Sequence, residues 1–246
     1  MPNLLILGGT QEAAELARHL TGETDWRIIT SLAGRTRNPS ELPGEVRIGG
    51  FGGSSGLAQY LKDQSINLLV DATHPFALRM PGHAERAADL AGVPRIKLLR
   101  PPWQAESEDR WIPVPSLQQA AQVLPRDCKA FLTTGRQELE PFAQRRDVAF
   151  LVRLVDTPEQ ALPLARYSVI AQRGPFRSQE EQELLRKHEI ACLVSKNSGG
   201  SASYPKIEAA RALALPVIMV ERPPIPPGAL ARSVTEALDW IGEIIR

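Results

Sequence analysis

The 246-residue sequence has little of what marks several common protein classes. Its two cysteines, Cys128 and Cys192, lie beside apolar stretches without metal-ligand spacing, so we expect reduced, buried thiols and no metal site. Lys plus Arg total 29 and Asp plus Glu 28, and this net charge of +1 provides no global field for nucleic acid or membranes. Apolar runs are too short to span a bilayer, and residues 4–7 are too short for a signal-peptide core. We therefore expect a cytoplasmic protein.

Two missing motifs narrow the chemistry further. No phosphate loop ending in Gly-Lys-Ser/Thr occurs, which disfavours ATP chemistry. Short-chain dehydrogenases and related sugar-nucleotide enzymes carry a tyrosine with a lysine four residues later, and this pair is also missing. The residues found at that spacing after Tyr60, Tyr167 and Tyr204 are Gln64, Ala171 and Glu208.

Short β-rich runs alternate with helical patterns, which predicts parallel sheets covered on both faces. The alternation breaks at residues 100–116, a segment with four prolines that we interpret as an inter-domain connection. We expect an NADPH-binding domain at 1–103 and a second domain at 104–246. The predicted strands are 4–7, 27–30, 46–48, 68–71, 95–99, 130–133, 149–154, 168–171, 191–194 and 217–220. The predicted helices are 11–20, 56–64, 78–91, 117–124, 137–143, 178–188, 204–214 and 234–245.

The first strand meets an incomplete dinucleotide fingerprint. Gly8 can form the tight turn, Gly9 adds backbone freedom, and Thr10 and Ala13 occupy the second and third glycine positions. The pyrophosphate would bind at the helix N-terminus, where the Thr10 hydroxyl could also donate to a phosphate. From this stretch alone, nucleotide binding and a plain strand-to-helix turn are equally supported.

The end of the second predicted strand favours a phosphorylated cofactor. NAD enzymes place an acidic residue there for the ribose hydroxyls, whereas this strand ends in Thr30 and Ser31. The following loop carries Arg35 and Arg37, which suit a 2′-phosphate because arginine forms charge-assisted, forked contacts. NADPH therefore fits better than NADH; the alternative is two solvated surface arginines.

Two loops at the carboxyl ends of later strands are further candidates. Residues 49–56 contain five glycines, which permits either close backbone approach to a ligand or a flexible connection. The segment "DATHPFA" follows an apolar strand, so Asp71, Thr73 and His74 would emerge where open α/β sheets bind ligands. His74 has either a functional role or a structural role that holds the loop through hydrogen bonds.

Four predicted strands of the second half end in loops that each carry one cation. In a parallel sheet all four emerge at one edge, which predicts an anion site; the alternative is isolated surface charges. The strongest element is "SKNSGG", which adds Asn197 and Ser198 as hydrogen-bonding groups. The four cations are Arg136, Arg173, Lys196 and Arg222.

Taken together, these segments resemble the precorrin-6A reductase family of cobalamin biosynthesis. The matching stretches are "LILGGTQEA", "AGRTRNP", "GGFGG", "DATHPFA", "RPPW", "RGPF", "SKNSGG" and "KIEAARALALPVIMVERP", spread over most of the chain in the family's order. The resemblance implies an α/β fold of two Rossmann-like domains with parallel sheets and a ligand cleft between them. It also implies NADPH-dependent reduction of precorrin-6A to precorrin-6B.

The implied substrate is a tetrapyrrole with many carboxylates, so the four cations would bind either the substrate or the cofactor's phosphates. The proton that accompanies the hydride would come from His74 or Asp71, from water, or from a substrate carboxyl. Two alternatives stay open: the cobalt-containing substrate cobalt-precorrin-6A, and an NADPH-sensing protein without turnover. We expect no nucleic-acid or membrane partner; a monomer is compatible with the sequence, which does not determine the oligomeric state.

Overall fold

The computed structural model describes residues 1–23, 25–34 and 41–245. In chain order the strands are β1 (Asn3–Leu7), β2 (Arg27–Leu32), β3 (Glu45–Ile48), β4 (Leu68–Asp71), β5 (Arg95–Leu98), β6 (Trp111–Val114), β7 (Lys129–Leu132), β8 (Ala149–Leu154), β9 (Tyr167–Ala171), β10 (Cys192–Lys196), β11 (Val217–Val220) and β12 (Ala229–Ala231). The helices are α1 (Gln11–Glu23), α2 (Gly53–Asp63), α3 (Met80–Ala91), α4 (Leu117–Val123), α5 (Ser178–Lys187), α6 (Pro205–Ala212) and α7 (Val234–Ile244).

The chain divides into two compact units. The first unit comprises Met1–Pro101 together with Pro223–Arg246, and the second comprises Pro102–Arg222. Each contains a six-stranded sheet, with the orders β12-β5-β4-β1-β2-β3 and β6-β11-β10-β7-β8-β9. All strand pairs are parallel, which confirms the predicted α/β class with two parallel sheets.

Burial on both faces explains why the central strands are apolar runs. Residues 4–7 of β1 are at most 2% exposed. Leu4 and Ile6 belong to an apolar cluster with α1 and α7, whereas Leu5 and Leu7 belong to another with α2 and α3. Such strands need no alternation of polar and apolar residues, because helices cover both sides of a parallel sheet.

The sixth strand of each sheet does not continue directly from that sheet's fifth strand along the chain. In each sheet, five strands follow the order 3-2-1-4-5 that is typical of Rossmann folds. β6, which follows β5 along the chain, pairs instead with β11 in the second sheet, and β12, which follows β11, pairs with β5 in the first. The two orders are therefore equivalent. In each sheet, the sixth strand is the one that follows the fifth strand of the other sheet along the chain.

This strand arrangement changes two predicted boundaries. Residues 223–246, predicted in the second domain, belong to the first unit because Val234, Ala237 and Ile241 of α7 pack into the cluster around β1. The predicted connection 100–116 contains the strand β6. Pro113 is tolerated there because β6 lies at the edge of its sheet, where a missing backbone N–H breaks no ladder.

The prediction of one helix over residues 137–143 was wrong. The chain forms two single 3₁₀ turns there, Arg136–Glu138 and Glu140–Phe142. Pro141 explains the interruption, since proline removes a backbone donor.

Both cysteines are free thiols; Cys192 is buried, as predicted, whereas Cys128 is only partly buried. Among the described helices, none combines the length and the apolar character needed to cross a bilayer.

Candidate functional sites at the sheet edges

The turn between β1 and α1 is as tight as a dinucleotide-binding turn requires. The Gly8 N–H donates to the Ser31 carbonyl oxygen at 2.9 Å. A Cβ on Gly8 would lie 3.0 Å from Cγ2 of Thr30 and 3.3 Å from Cδ2 of Leu32, so a larger residue would push into β2. Gly9 has a φ of +110°, a conformation that side chains other than glycine rarely adopt. Gly8 thus forms the tight turn, and Gly9 supplies the backbone freedom that the turn needs.

Thr10 caps helix α1. Its hydroxyl accepts from the Ala13 N–H at 3.1 Å and donates to the Ala72 carbonyl oxygen at 2.9 Å. A phosphate contact from this hydroxyl would have to replace the bond to Ala72. The groups that α1 can present to an anion are therefore its first backbone N–H groups, which have no partner within a helix. Ala13, at the third fingerprint position, is 1% exposed, which fits the need for a small packing residue.

Asp71 lies in a buried ion pair at the end of β4. Its Oδ1 accepts from Lys97 Nζ at 3.0 Å and from the Thr73 hydroxyl at 2.6 Å. Lys97 Nζ also donates to the Thr73 carbonyl oxygen at 3.1 Å. Asp71 is 0% and Lys97 2% exposed; burial lowers the pKa of the Lys97 ammonium, and the Asp71 carboxylate opposes that shift. In this conformation Asp71 and Thr73 hold the loop after β4, and the Asp71 carboxyl contacts no solvent.

His74 follows this anchored loop and is only partly buried. Its Nδ1 accepts from the Phe76 N–H at 3.2 Å, and its carbonyl oxygen accepts from the Ala77 N–H at 2.8 Å. Because Nδ1 is an acceptor here, the neutral ring carries its proton on Nε2. Of the two acids named from the sequence, only His74 lies where a ligand could reach it.

Ser31 has a charged neighbour that the sequence analysis missed. Arg47, on the adjacent strand β3, donates from Nη1 to the Ser31 hydroxyl at 3.2 Å and to the Gly49 carbonyl at 2.6 Å. Its Nη2 donates to the Gly50 carbonyl at 2.6 Å, and its guanidinium lies 3.8 Å from the centre of the Phe51 ring. The signal was an arginine placed just before the glycine-rich loop. The predicted cofactor-binding residues Arg35 and Arg37 lie outside the described residues.

In the second unit, two of the four predicted cations lie close together. Lys196 ends β10, and its Nζ contacts Glu138 Oε2 at 2.6 Å. Arg222 follows β11, and its Nε donates to the Asn197 carbonyl oxygen at 2.8 Å. β7, β10 and β11 are adjacent, so Arg136, which follows β7, emerges at the same stretch of the edge.

Arg173 stands apart from this group. It follows β9, the strand at the opposite border of the sheet, and β8 lies between β9 and β7. Both Arg173 and Arg136 are exposed. The structure thus supports one cluster of cations around β7, β10 and β11 and a separate position for Arg173.

The Asn197 side chain forms hydrogen bonds with the backbone of Trp103, near the start of the second unit. Its Oδ1 accepts from the Trp103 N–H at 2.7 Å, and its Nδ2 donates to the Trp103 carbonyl at 3.0 Å. The indole N–H of Trp103 donates to the Gly200 carbonyl at 2.9 Å. Asn197 therefore clamps Trp103 against the glycine loop, and neighbouring Ser198 is only 7% exposed. The adjoining open cavity has a volume of about 220 Å³ and is lined by Trp103, Gln104, Gly200, Ser201 and Tyr204.

A buried pair within β8 and α5 supports the "RGPF" loop. Arg153 donates from Nη1 to Glu181 Oε2 at 2.8 Å and from Nη2 to Oε1 at 2.7 Å. The Arg153 guanidinium lies 4.2 Å from the centre of the Phe176 ring. Sequence reasoning read Arg153 as part of an apolar strand and missed this contact. The pair fixes the segment that carries Arg173.

Lys206 is a second buried cation that the sequence analysis missed. It is 5% exposed, its Nζ donates to the Ser203 carbonyl at 2.8 Å, and it lies 5.0 Å from the centre of the Trp103 ring. Burial, together with the nearby charges of Arg153 and Lys196, lowers its pKa to about 7, and Glu181 opposes the shift. Its position early in α6 gave no sign of burial, because a lysine after Tyr-Pro is compatible with an exposed first turn.

Comparison with known proteins agrees with this arrangement along nearly the whole chain. The family model described as precorrin-6x reductase CbiJ/CobK matches residues 3–242. A precorrin-6A reductase from Rhodococcus erythropolis is 42% identical over 248 residues and covers 100% of both chains. A solved structure, "CobK precorrin-6A reductase", has 40% identity and a TM-score of 0.95, covering 99% of this chain and 97% of its own. A cobalt-precorrin-6A reductase from Priestia megaterium is 28% identical, with 96% of each chain covered.

Proposed function

Because the chain belongs to the precorrin-6x reductase family, we propose that it uses NADPH to reduce a double bond of precorrin-6A, giving precorrin-6B in cobalamin biosynthesis. The chain is thus an oxidoreductase that acts on a CH–CH group. The observation that carries the proposal is 42% identity to a precorrin-6A reductase across the full length of both chains.

The first unit fits a nicotinamide dinucleotide. Gly8 and Gly9 form a turn that brings the backbone close to a ligand, and the α1 N-terminus presents N–H groups to a pyrophosphate. When bound, the cofactor supplies a hydride to the macrocycle. The chain's own contribution is to hold the ligands in the reacting orientation, which is the main catalytic means of such sites.

The cations of the second unit suit a substrate with many carboxylates. Lys196 and Arg222 lie close to Asn197 at the carboxyl edge, and Arg136 and Arg173 extend the positive charge along it. Glu138 offsets part of the Lys196 charge. Arginine is suited to binding a carboxylate because its fork matches two carboxylate oxygens.

We assign the proton-donating role to His74 and not to Asp71; to act as an acid, the imidazole must first take up a second proton at Nδ1, which displaces the bond from the Phe76 N–H. His74 is partly exposed at the end of an anchored loop, whereas the Asp71 carboxyl is fully buried against Lys97. Donation by Asp71 would require the ion pair to open. Water and a substrate carboxyl are the remaining sources of the proton.

The metal-free substrate is favoured over its cobalt form. The relative named precorrin-6A reductase is 42% identical to this chain, whereas the one named cobalt-precorrin-6A reductase is 28% identical. The higher identity to the relative named precorrin-6A reductase therefore supports precorrin-6A as the substrate.

The test is anaerobic incubation of the purified chain with NADPH and each form of the macrocycle. We expect the NADPH absorbance to fall and the macrocycle spectrum to change with precorrin-6A, and much more slowly with the cobalt form. A faster reaction with cobalt-precorrin-6A would reverse the substrate assignment. NADPH binding without turnover of either form would support a sensor and overturn the reductase proposal.

A further inference from the structure

We propose that Arg47 is a residue by which this chain selects a phosphorylated cofactor, with its guanidinium and the Ser31 hydroxyl together contacting the 2′-phosphate. The inference rests on the proposed use of NADPH and names the group that would recognise it. Three observations support it: the position of Arg47 in the sheet, the way its guanidinium is held, and the lack of an acidic partner for its charge among the described residues.

The strand register places Arg47 at the adenosine end of a dinucleotide site. Ser31, at the end of β2, is the register partner of Leu7 on one side and of Arg47 on the other. In Rossmann folds the residue at the end of the second strand faces the adenosine ribose, and an arginine nearby accommodates a 2′-phosphate. Arg47 reaches this point from β3, the strand adjacent to β2.

The glycine-rich loop holds the guanidinium in one orientation. The carbonyl oxygens of Gly49 and Gly50 each accept at 2.6 Å, and Gly49 has a φ of +121°. Phe51 covers the guanidinium at 3.8 Å, and Tyr60 lies 5.2 Å away. An arginine fixed in this way loses little further side-chain freedom when it binds an anion, so its contacts are pre-organised.

The charge of Arg47 is not neutralised within the part of the chain that the structure describes. There, its three acceptors are a hydroxyl and two carbonyl oxygens, and no carboxylate lies within salt-bridge distance. Arg27, at the other end of the same strand pair, contrasts with it, since two of its nitrogens bond the Glu45 carboxylate at 2.6 and 2.8 Å. A held guanidinium without an acidic partner is suited to an anionic ligand.

The test measures binding of NADP⁺ and NAD⁺, which differ only in the 2′-phosphate, to the full chain by calorimetry. Loss of a charge-assisted phosphate contact corresponds to roughly a 10–100-fold change in affinity. We expect Arg47→Gln to weaken NADP⁺ binding by about that factor and NAD⁺ binding by less than about twofold. Arg47→Lys should retain part of the preference, because it keeps the charge and loses the fork.

Arg27→Gln is the matched control, since it removes an arginine of the same strand pair and should leave the NADP⁺ to NAD⁺ ratio unchanged. Thermal unfolding of each variant checks that the chain is folded. Equal losses for both nucleotides in Arg47→Gln would show that Arg47 only supports the loop, and unchanged affinity for both would show that it contacts neither; either result overturns the inference. If the unmodified chain does not prefer NADP⁺, the proposed use of NADPH fails first, independently of any variant.

Discussion

The carboxyl edges of the two sheets differ in how they use lysine, although their strand orders are the same. In the first unit Lys97 is buried and paired with Asp71, where it holds the loop after β4. In the second unit Lys196 is only partly buried, beside Glu138 in a row of strand-end cations. The same topology thus supports one edge whose lysine is buried in an ion pair and another whose cations lie at the strand ends, where we propose that they bind a ligand.

The difference follows from what each edge is expected to bind. A pyrophosphate can be held by backbone N–H groups at a glycine turn, so the first edge needs few exposed cations. A macrocycle with several carboxylates extends beyond one helix N-terminus, and side-chain cations spread over neighbouring strands suit it better. Four predictions follow from the partners and the burial of these charged and polar groups.

Lys97→Met should have the largest effect, on stability. It leaves the Asp71 carboxylate buried without its cation, and breaking a buried pair in this way costs about 3–5 kcal/mol. Urea unfolding measures the loss in the free energy of unfolding. The double variant Lys97→Met with Asp71→Leu removes both charges and should recover most of that loss. A single variant as stable as the parent would contradict the structural role of the pair.

Lys206 should make stability depend on pH. Its folded pKa is lowered to about 7 from an ordinary value of 10.5, so between these values the unfolded chain binds more protons than the folded chain. Stability contributed by this group therefore rises as the pH increases through that window, by at most about 1.4 kcal/mol per pH unit. Urea unfolding between neutral pH and about pH 9 measures the slope.

Lys206→Met is the control for that slope, because methionine is similar in length to lysine and carries no titratable group. The variant should lose the rise with pH that is specific to Lys206, while other titrating groups contribute equally to both proteins. Identical slopes in parent and variant would show that the ammonium titrates normally.

Arg222→Ala should raise the KM for the tetrapyrrole by about tenfold, the effect of losing one charge-assisted contact. The KM for NADPH should stay the same if the cation cluster serves the substrate. Lys196→Ala should have a smaller effect, since Glu138 already offsets its charge. A rise in the KM for NADPH alone would reassign these cations to the cofactor's phosphates, and no change in either KM would show that they contact neither ligand.

Thr10→Ala should have the smallest effect, about 1 kcal/mol of stability, because it removes the cap of α1 and the bond to Ala72. NADPH affinity should change little if the hydroxyl makes no phosphate contact. Thr10→Ser keeps the hydroxyl and should behave like the parent. A large selective loss of NADPH affinity in Thr10→Ala would restore the phosphate role that the sequence first suggested.

Much of the fold could be predicted because its signals are local. Residues 4–7 and 68–71 are apolar runs that parallel sheets bury on both faces, and Gly8 and Gly9 mark the turn into α1. Strand-end loops also revealed Lys196 and Arg222, since carboxyl ends of parallel strands share one edge. The pairing of β6 and β12 with the two sheets had no local signal, because a short edge strand looks the same whichever sheet it joins.

The two α/β halves, the glycine turn and the surplus of cations at the strand ends could be predicted without a structure, because they depend on residue type and short-range periodicity. The partners of the charged groups could not be predicted, because they depend on the tertiary fold. Asp71 and Lys97 are 26 residues apart, and Ser31 and Arg47 are 16 apart; each pair meets because strand register brings neighbouring strands together. Burial then distinguishes the two cations: Lys97 is buried and holds a loop, whereas Arg47 is only partly buried and is the one that we propose to bind a phosphate.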